Sequence, residues 1–169
     1  MEYAFRKANT SDAPVIWRIL EQAILRRKND GSNQWQDGYP NPDVVNRDIE
    51  KGVGYVLTLQ DEIIAYAAVL FNDEPAYAEI EGKWLSESDF VVVHRIAVAD
   101  DYLGQGLSAT IMKFIEDVAL KNGIYSVKVD TNFDNPAMLR IFEKLGYTYC
   151  GQVYFRGSPR KAFEKVLPG

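Results

Sequence analysis

The stretch HRIAVADDYLGQGLSATIMKFI, His94 to Ile115, constrains this chain more than any other. Strand formers run from Asp89 to Ala99, a short turn follows, and two glycines, Gly104 and Gly106, open a helix read from Gln105 to about Lys121. Leu107, Ile111, Phe114, Ile115 and Val118 recur at spacings of three and four, so one face of that helix is buried, and Asn122-Gly123 stops it. A strand from Ser126 to Thr131 comes next, with Val127 and Val129 alternating against Lys128 and Asp130. The helix after it, Pro136 to Leu145, starts at Asn135, carries Met138, Ile141, Phe142 and Leu145 on its apolar face, and ends at Gly146. Strand and helix alternate through this half, further strands lead to the C-terminus, and the class is mixed α/β.

The first half fits that class. Alternation from Met1 to Lys7 predicts a strand, and Thr10-Ser11-Asp12 offer capping oxygens to a helix with Pro14 in its first turn. Ile16, Ile19, Leu20, Ala23 and Ile24 form its apolar stripe, and it ends near Lys28. Arg26-Arg27-Lys28 reads as helix-end charge favoured by the dipole. The segment NDGSNQWQDGYPN, Asn29 to Asn41, is a long loop whose Trp35 and Tyr39 either fold onto the domain or line a ligand site. A short helix from about Pro42 to Lys51 ends at Gly52. Strands Tyr55 to Gln60 and Ile63 to Phe71 form a hairpin marked by Asp61-Glu62. Asn72 to Ser88 shows no period and is read as an irregular connection.

A length of 169 residues, 47% apolar and 25% charged, fits one globular domain spanning 1–169. Nineteen basic against twenty-four acidic residues leave a net charge of −5, which disfavours nucleic acid as a partner. With one cysteine, Cys150, and one histidine, His94, neither an internal disulfide nor a usual zinc site can form, and no metal is expected. The N-terminal MEYAFRKANTSD lacks a signal-like apolar run, and no apolar stretch approaches the roughly 18 residues of a membrane span. A cytoplasmic protein without membrane contact is the expectation.

At the strand-turn-helix, glycines let the backbone approach a ligand closely, and the free N–H groups at the helix start can cradle a pyrophosphate. A tight strand-to-helix turn requires the same glycines. The sequence is neither a P-loop nor a GxGxxG fingerprint, so a general nucleotide-binding reading rests on the glycine turn alone. The combination resembles the Gcn5-related N-acetyltransferase (GNAT) family, whose motif here is Arg or Gln, two residues, Gly, one residue, then Gly or Ala. Leu103 stands at the Arg or Gln position, Gly106 at the glycine and Ser108 at the last small residue. Downstream, DNPAMLRIFEKLGY is similar to the family's closing pattern of Asn, a helix, and a glycine-aromatic pair. With the order of the remaining elements, the resemblance covers nearly the whole chain.

The resemblance implies a mixed, mostly antiparallel sheet flanked by helices, in which two neighbouring parallel strands splay apart to admit the pantetheine of acetyl-CoA. Ile96, Ala97 and Val98 would pair with the pantetheine amides through their backbone. Leu103, Gly104, Gln105, Gly106, Leu107, Ser108 and Ala109 would hold the pyrophosphate. Asn135 would contact the pantetheine, or cap its helix, or both. Phe142 stands where many relatives carry a tyrosine that protonates the leaving thiolate. Tyr147 and Tyr149, the other phenols nearby in sequence, read as core, as does Cys150.

The implied activity is transfer of an acetyl group to a primary amine of a small molecule or peptide, directly within a ternary complex. An alkylamine with a pKa of about 10.4 is mostly protonated at neutral pH, so a base is required. His94 lies four residues before Val98, and strand period places it on the face of Ile96 and Val98; its alternative is a histidine hydrogen-bonded inside the sheet. Glu79, Glu81 and Asp89 are fallback bases acting through water, and Arg95, on the opposite face, is read as a structural charge. Trp35, Asp37 and Tyr39, with the segment from Glu79 to Trp84, would suit a cationic acceptor. A catalytically silent acetyl-CoA sensor is the alternative, motivated by Phe142, Leu103 and Ser108. Relatives often pair into homodimers, but no exposed stripe in the sequence marks such a surface.

Overall fold

Alternation at the N-terminus becomes strand β1 (Tyr3–Lys7) in a computed structural model that describes residues 2–133 and 135–169. Met1, the start of the expected strand, and Asp134, in the DNPAMLR pattern, lie outside the described residues. The cap that follows sits one residue earlier than Thr10-Ser11-Asp12 suggests. Asn9 accepts from the Ser11 N–H and its own N–H donates to Asp12, so residues 10–12 form a 3-10 turn and α1 begins at Ala13 (Ala13–Asn29). Its stripe of Ile16, Ile19, Leu20 and Ala23 is buried. Asn41 caps α2 (Pro42–Glu50) through the Val44 N–H. Strands β2 (Gly54–Leu59) and β3 (Glu62–Phe71) form the hairpin, but its turn lies on Gln60-Asp61 rather than Asp61-Glu62. Both turn residues have positive φ, 50° and 69°, as a two-residue turn matched to strand twist requires.

The remaining elements are β4 (Glu81–Gly82), β5 (Val91–Val98), α3 (Leu107–Lys121), β6 (Ser126–Thr131), α4 (Pro136–Lys144), β7 (Thr148–Phe155) and β8 (Ser158–Val166). The class is the expected one, with mostly antiparallel strands, a parallel pair and helices. Strand β4 is new: the segment from Asn72 to Ser88 was expected to be irregular, yet it holds a 3-10 turn (Pro75–Glu79) and this two-residue strand. A strand so short has no period to read.

The chain forms two compact units interleaved in sequence: residues up to Val69 with His94–Ile111, and Leu70–Val93 with Met112–Gly169. The first has strand order β1-β2-β3-β5. Its core joins Ile16, Ile19 and Leu20 of α1 to Val45 of α2, Val56 and Tyr66 of the hairpin, and Ala97 of β5. The second has strand order β5-β6-β8-β7-β4. Its β5 and β6 run parallel in the register Val91↔Val127 and Val92↔Lys128, and its other neighbours are antiparallel. Tyr77, Val92, Val153 and Ala162 form one of its clusters. Among the described residues no helix is long and apolar enough to cross a membrane.

Candidate active site

Strand β5 keeps a twofold period only as far as His94. Arg95 has φ +57°, a left-handed conformation costing a bulky residue about 1–2 kcal/mol. Its guanidinium holds it there: Nε and Nη2 donate to the two oxygens of Asp48 at 3.0 and 2.7 Å, and Nη1 donates to the Tyr39 hydroxyl at 2.6 Å. Asp48 also accepts from the Tyr66 hydroxyl at 2.6 Å. Asp48 is buried and Arg95 nearly so, with side chains 6% and 11% exposed. Burial and the neighbouring Asp48 charge push the Tyr66 phenol far above its ordinary range. The structural charge singled out in the sequence is thus the centre of a four-residue network. The positive φ also corrects the face argument for His94, because a left-handed residue resets side-chain alternation. Position 94 therefore does not inherit the face of Ile96 and Val98 by counting. His94 and Ile96 are half-buried, and Ala97 packs into the first unit's core.

Beyond β5 the chain is pinned to α1. Arg26 Nη2 donates to the Val98 carbonyl at 2.9 Å and the same guanidinium pairs with Asp100, whose N–H donates to the Gln22 side chain at 2.9 Å. The basic end of α1 thus does more than answer the helix dipole, since Arg27 also lies 3.8 Å from the centre of the Trp35 ring. The turn that follows is open. Leu103 is half-exposed, Gly104 and Gly106 have φ of 77° and 72°, and apart from the adjacent residues no protein atom lies within 4 Å of where a Cβ would stand on either. The Gly106 carbonyl accepts from both the N–H and the hydroxyl of Thr110 at 3.2 Å. Helix geometry leaves the N–H groups of Leu107, Ser108 and Ala109 without an intrahelical acceptor. This is a backbone suited to a pyrophosphate: donors aligned with the positive end of α3, and glycines with no side chain in the way.

The first unit therefore carries His94, Ile96 to Val98, Leu103 to Ala109, and the loop residues Trp35, Asp37 and Tyr39. Trp35 is 8% exposed and belongs to that unit's core, Tyr39 is tied to Arg95, and Asp37 is exposed. Asn135 and Phe142 belong to the second unit. The Asn135 side chain accepts from the Met138 N–H at 3.3 Å, capping α4. Phe142 is buried, its ring centre 5.2 Å from that of Phe163 and 5.7 Å from that of Tyr147. Tyr147 is buried and donates to Glu116, while Tyr149 is half-exposed and so is not the core residue expected. The Tyr149 ring packs edge-on against Phe163, 5.6 Å between centres, beside the point where β7 shifts register between Tyr149 and Gly151. Cys150 is buried, and burial pushes its thiol up. Glu81 accepts from Tyr154 and Asp89 from Asn72, and Glu79 is exposed. Sequence reasoning missed Asp48 and Tyr66; an arginine inside an apolar strand was the available signal that a buried acid waits elsewhere.

The profile of the Acetyltransferase (GNAT) family matches residues 17–147, and the chain belongs to that family. An acetyltransferase of the GNAT family from Streptococcus agalactiae 2603 superposes with a TM-score of 0.89 at 32% identity, covering 99% of this chain and 96% of that one. The N-acetyltransferase YesJ of Bacillus subtilis, itself uncharacterized, is 27% identical over 150 residues, 83% of this chain and 78% of its own length. At 17% identity, where likeness speaks for the fold alone, YncA of Salmonella typhimurium, solved with its cofactor acetyl-CoA, reaches a TM-score of 0.69 over 98% of this chain and 94% of its own.

Proposed function

We propose that this protein is an acetyl-CoA-dependent N-acetyltransferase that moves an acetyl group to a primary amine of a small molecule or peptide, by direct transfer within a ternary complex. The observation that carries the reading is the open turn from Leu103 to Gly106 leading into α3, in a chain of this family. Gly104 and Gly106 give the phosphates room, and the first-turn N–H groups of α3 give them donors. Bound there, acetyl-CoA supplies the activated acyl group as a thioester. Ile96 and Ala97 offer backbone groups to the pantetheine, and the Val98 carbonyl, already holding Arg26, keeps one lone pair for it. His94 takes the proton from the attacking amine, directly or through a water. Holding amine and thioester together supplies much of the acceleration, so the absence of a phenol at Phe142 is compatible with turnover. Trp35, buried with Arg27 stacked on it, anchors the acceptor loop to the core, Tyr39 is fixed by Arg95, and the exposed Asp37 favours a cationic acceptor.

The test is calorimetric titration with acetyl-CoA, followed by a panel of amines with release of free thiol as the readout. Binding together with thiol release for one amine class is the expected result and names the acceptor. Binding with no release across small amines and peptides favours the sensor, and absence of binding overturns the reading.

A further inference from the structure

In the second unit, β6 and β8 place Lys128 directly opposite Glu164. Both are buried, at 4% and 0% exposure, yet they do not pair. The Glu164 carboxylate accepts from the N–H groups of Leu85 (2.7 Å) and Ser86 (3.3 Å) and from the hydroxyls of Ser86 (2.5 Å) and Ser126 (2.6 Å). Nζ of Lys128 has no hydrogen bond or ion pair among the described residues. It lies instead over two aromatic faces, 4.0 Å from the centre of Phe90 and 4.5 Å from that of Trp84. A cavity of about 860 Å³ adjoins it, lined by Tyr77, Trp84, Phe90 and Lys128 and by the charged side chains of Asp73, Glu74, Lys83 and Glu87.

Aromatic faces attract an ammonium but cannot accept its three N–H donors as water does. Burial accordingly disfavours its charged form, with Glu164 pulling the other way. An apolar side chain of the same length would fill the cage without that cost. We propose that the cavity binds a small monoanionic carboxylate with an aromatic or apolar body, its carboxylate on Lys128 Nζ and its body against Tyr77, Trp84 and Phe90. One ammonium neutralises one charge. A phosphate dianion would retain a second charge near Asp73, Glu74 and Glu87, a cation would meet Lys128, and a neutral body would leave the Nζ donors unanswered. This site does not depend on the acetyl-transfer reading.

The test titrates the intact protein with phenylacetate, phenylacetamide and phenyl phosphate, followed by amide chemical shifts. Phenylacetate is expected to bind with a Kd of about 1 mM or tighter and to shift the signals of Trp84 and Phe90, with the other two at least about tenfold weaker. Lys128→Met is expected to keep an equal or higher melting temperature and to weaken phenylacetate at least about tenfold. No binding of phenylacetate, equal binding of the amide or the phosphate, or undiminished affinity in a folded Lys128→Met overturns the proposal. If that variant does not fold, the comparison of the three probes on the native chain decides alone.

Discussion

Arg95 lies inside the run VVVHRIAV, where an unpaired guanidinium would be driven back to water. It stays buried because Asp48 takes two of its donors and Tyr39 a third, and the same contacts hold its backbone in a conformation an isolated strand would reject. Beside it, His94→Ala is expected to lower kcat by about 100-fold. The deficit should be largest between the ordinary titration ranges of an imidazole and an alkylamine, where a neutral base is available and the amine is still protonated, and should shrink in acid, with acetyl-CoA affinity unchanged by calorimetry. An unaltered pH–rate profile would place the base elsewhere. A second charged residue governs stability rather than turnover. Hydrogen bonds from Arg6, at 2.8 and 3.2 Å, and from the Asn9 N–H, at 2.8 Å, hold the Asp12 carboxyl below its ordinary range against the opposing effect of burial. A carboxyl lowered on folding stabilises the protein above its unfolded pKa, about 3.9, and that contribution disappears as pH falls through the lower folded value. Asp12→Ala is therefore expected to cost about 1 kcal/mol at neutral pH. Urea unfolding at about pH 3 should show the gap between variant and parent narrowed; a constant gap would mean the carboxylate charge contributes nothing.

Among the elements, those with a full period or a side-chain cap were legible: the stripe of α1, the asparagine before α4, and β6 residue for residue. Strand β4 was not, because it exists only through close backbone approach. Gly82 and Gly151 are register partners, with φ of 143° and 144°, and a Cβ on Gly151 would stand 2.2 Å from the Glu81 carbonyl oxygen. Two glycines about seventy residues apart carry no joint sequence signal. Gly151→Ala must push β4 off β7 in a backbone region open essentially to glycine alone, for an expected loss of about 2 kcal/mol or more. Denaturant unfolding reads that loss, and faster hydrogen exchange at Leu85 and Ser86, whose amides bond to Glu164, would localise it. Stability within about 0.5 kcal/mol of the parent would show that the strand pairing is dispensable.

At the scale of the molecule, the strand-turn-helix that dominates the sequence is also where the chain passes between units, entering the first at His94 and leaving it after Ile111. A ligand that binds only the folded state at about one hundred times its Kd stabilises by about 2.7 kcal/mol. For a chain of this size that is a rise in melting temperature of roughly 5–10 °C. Acetyl-CoA is expected to produce that rise in the parent and none in Gly106→Glu, which puts bulk and negative charge where the phosphates would lie. An equal rise in both would move the phosphates away from this turn. Periodicity, caps and the glycine turn are local properties, carried by residues within a few positions of one another, and from them the sequence by itself determined the class, most elements and the family. Only the tertiary structure decided the pairing of Arg95 with Asp48, the reset of alternation beside His94, the two-residue strand and the Lys128 cavity. Each of these joins residues distant in the chain, so their energies exist only once the backbone has brought them together.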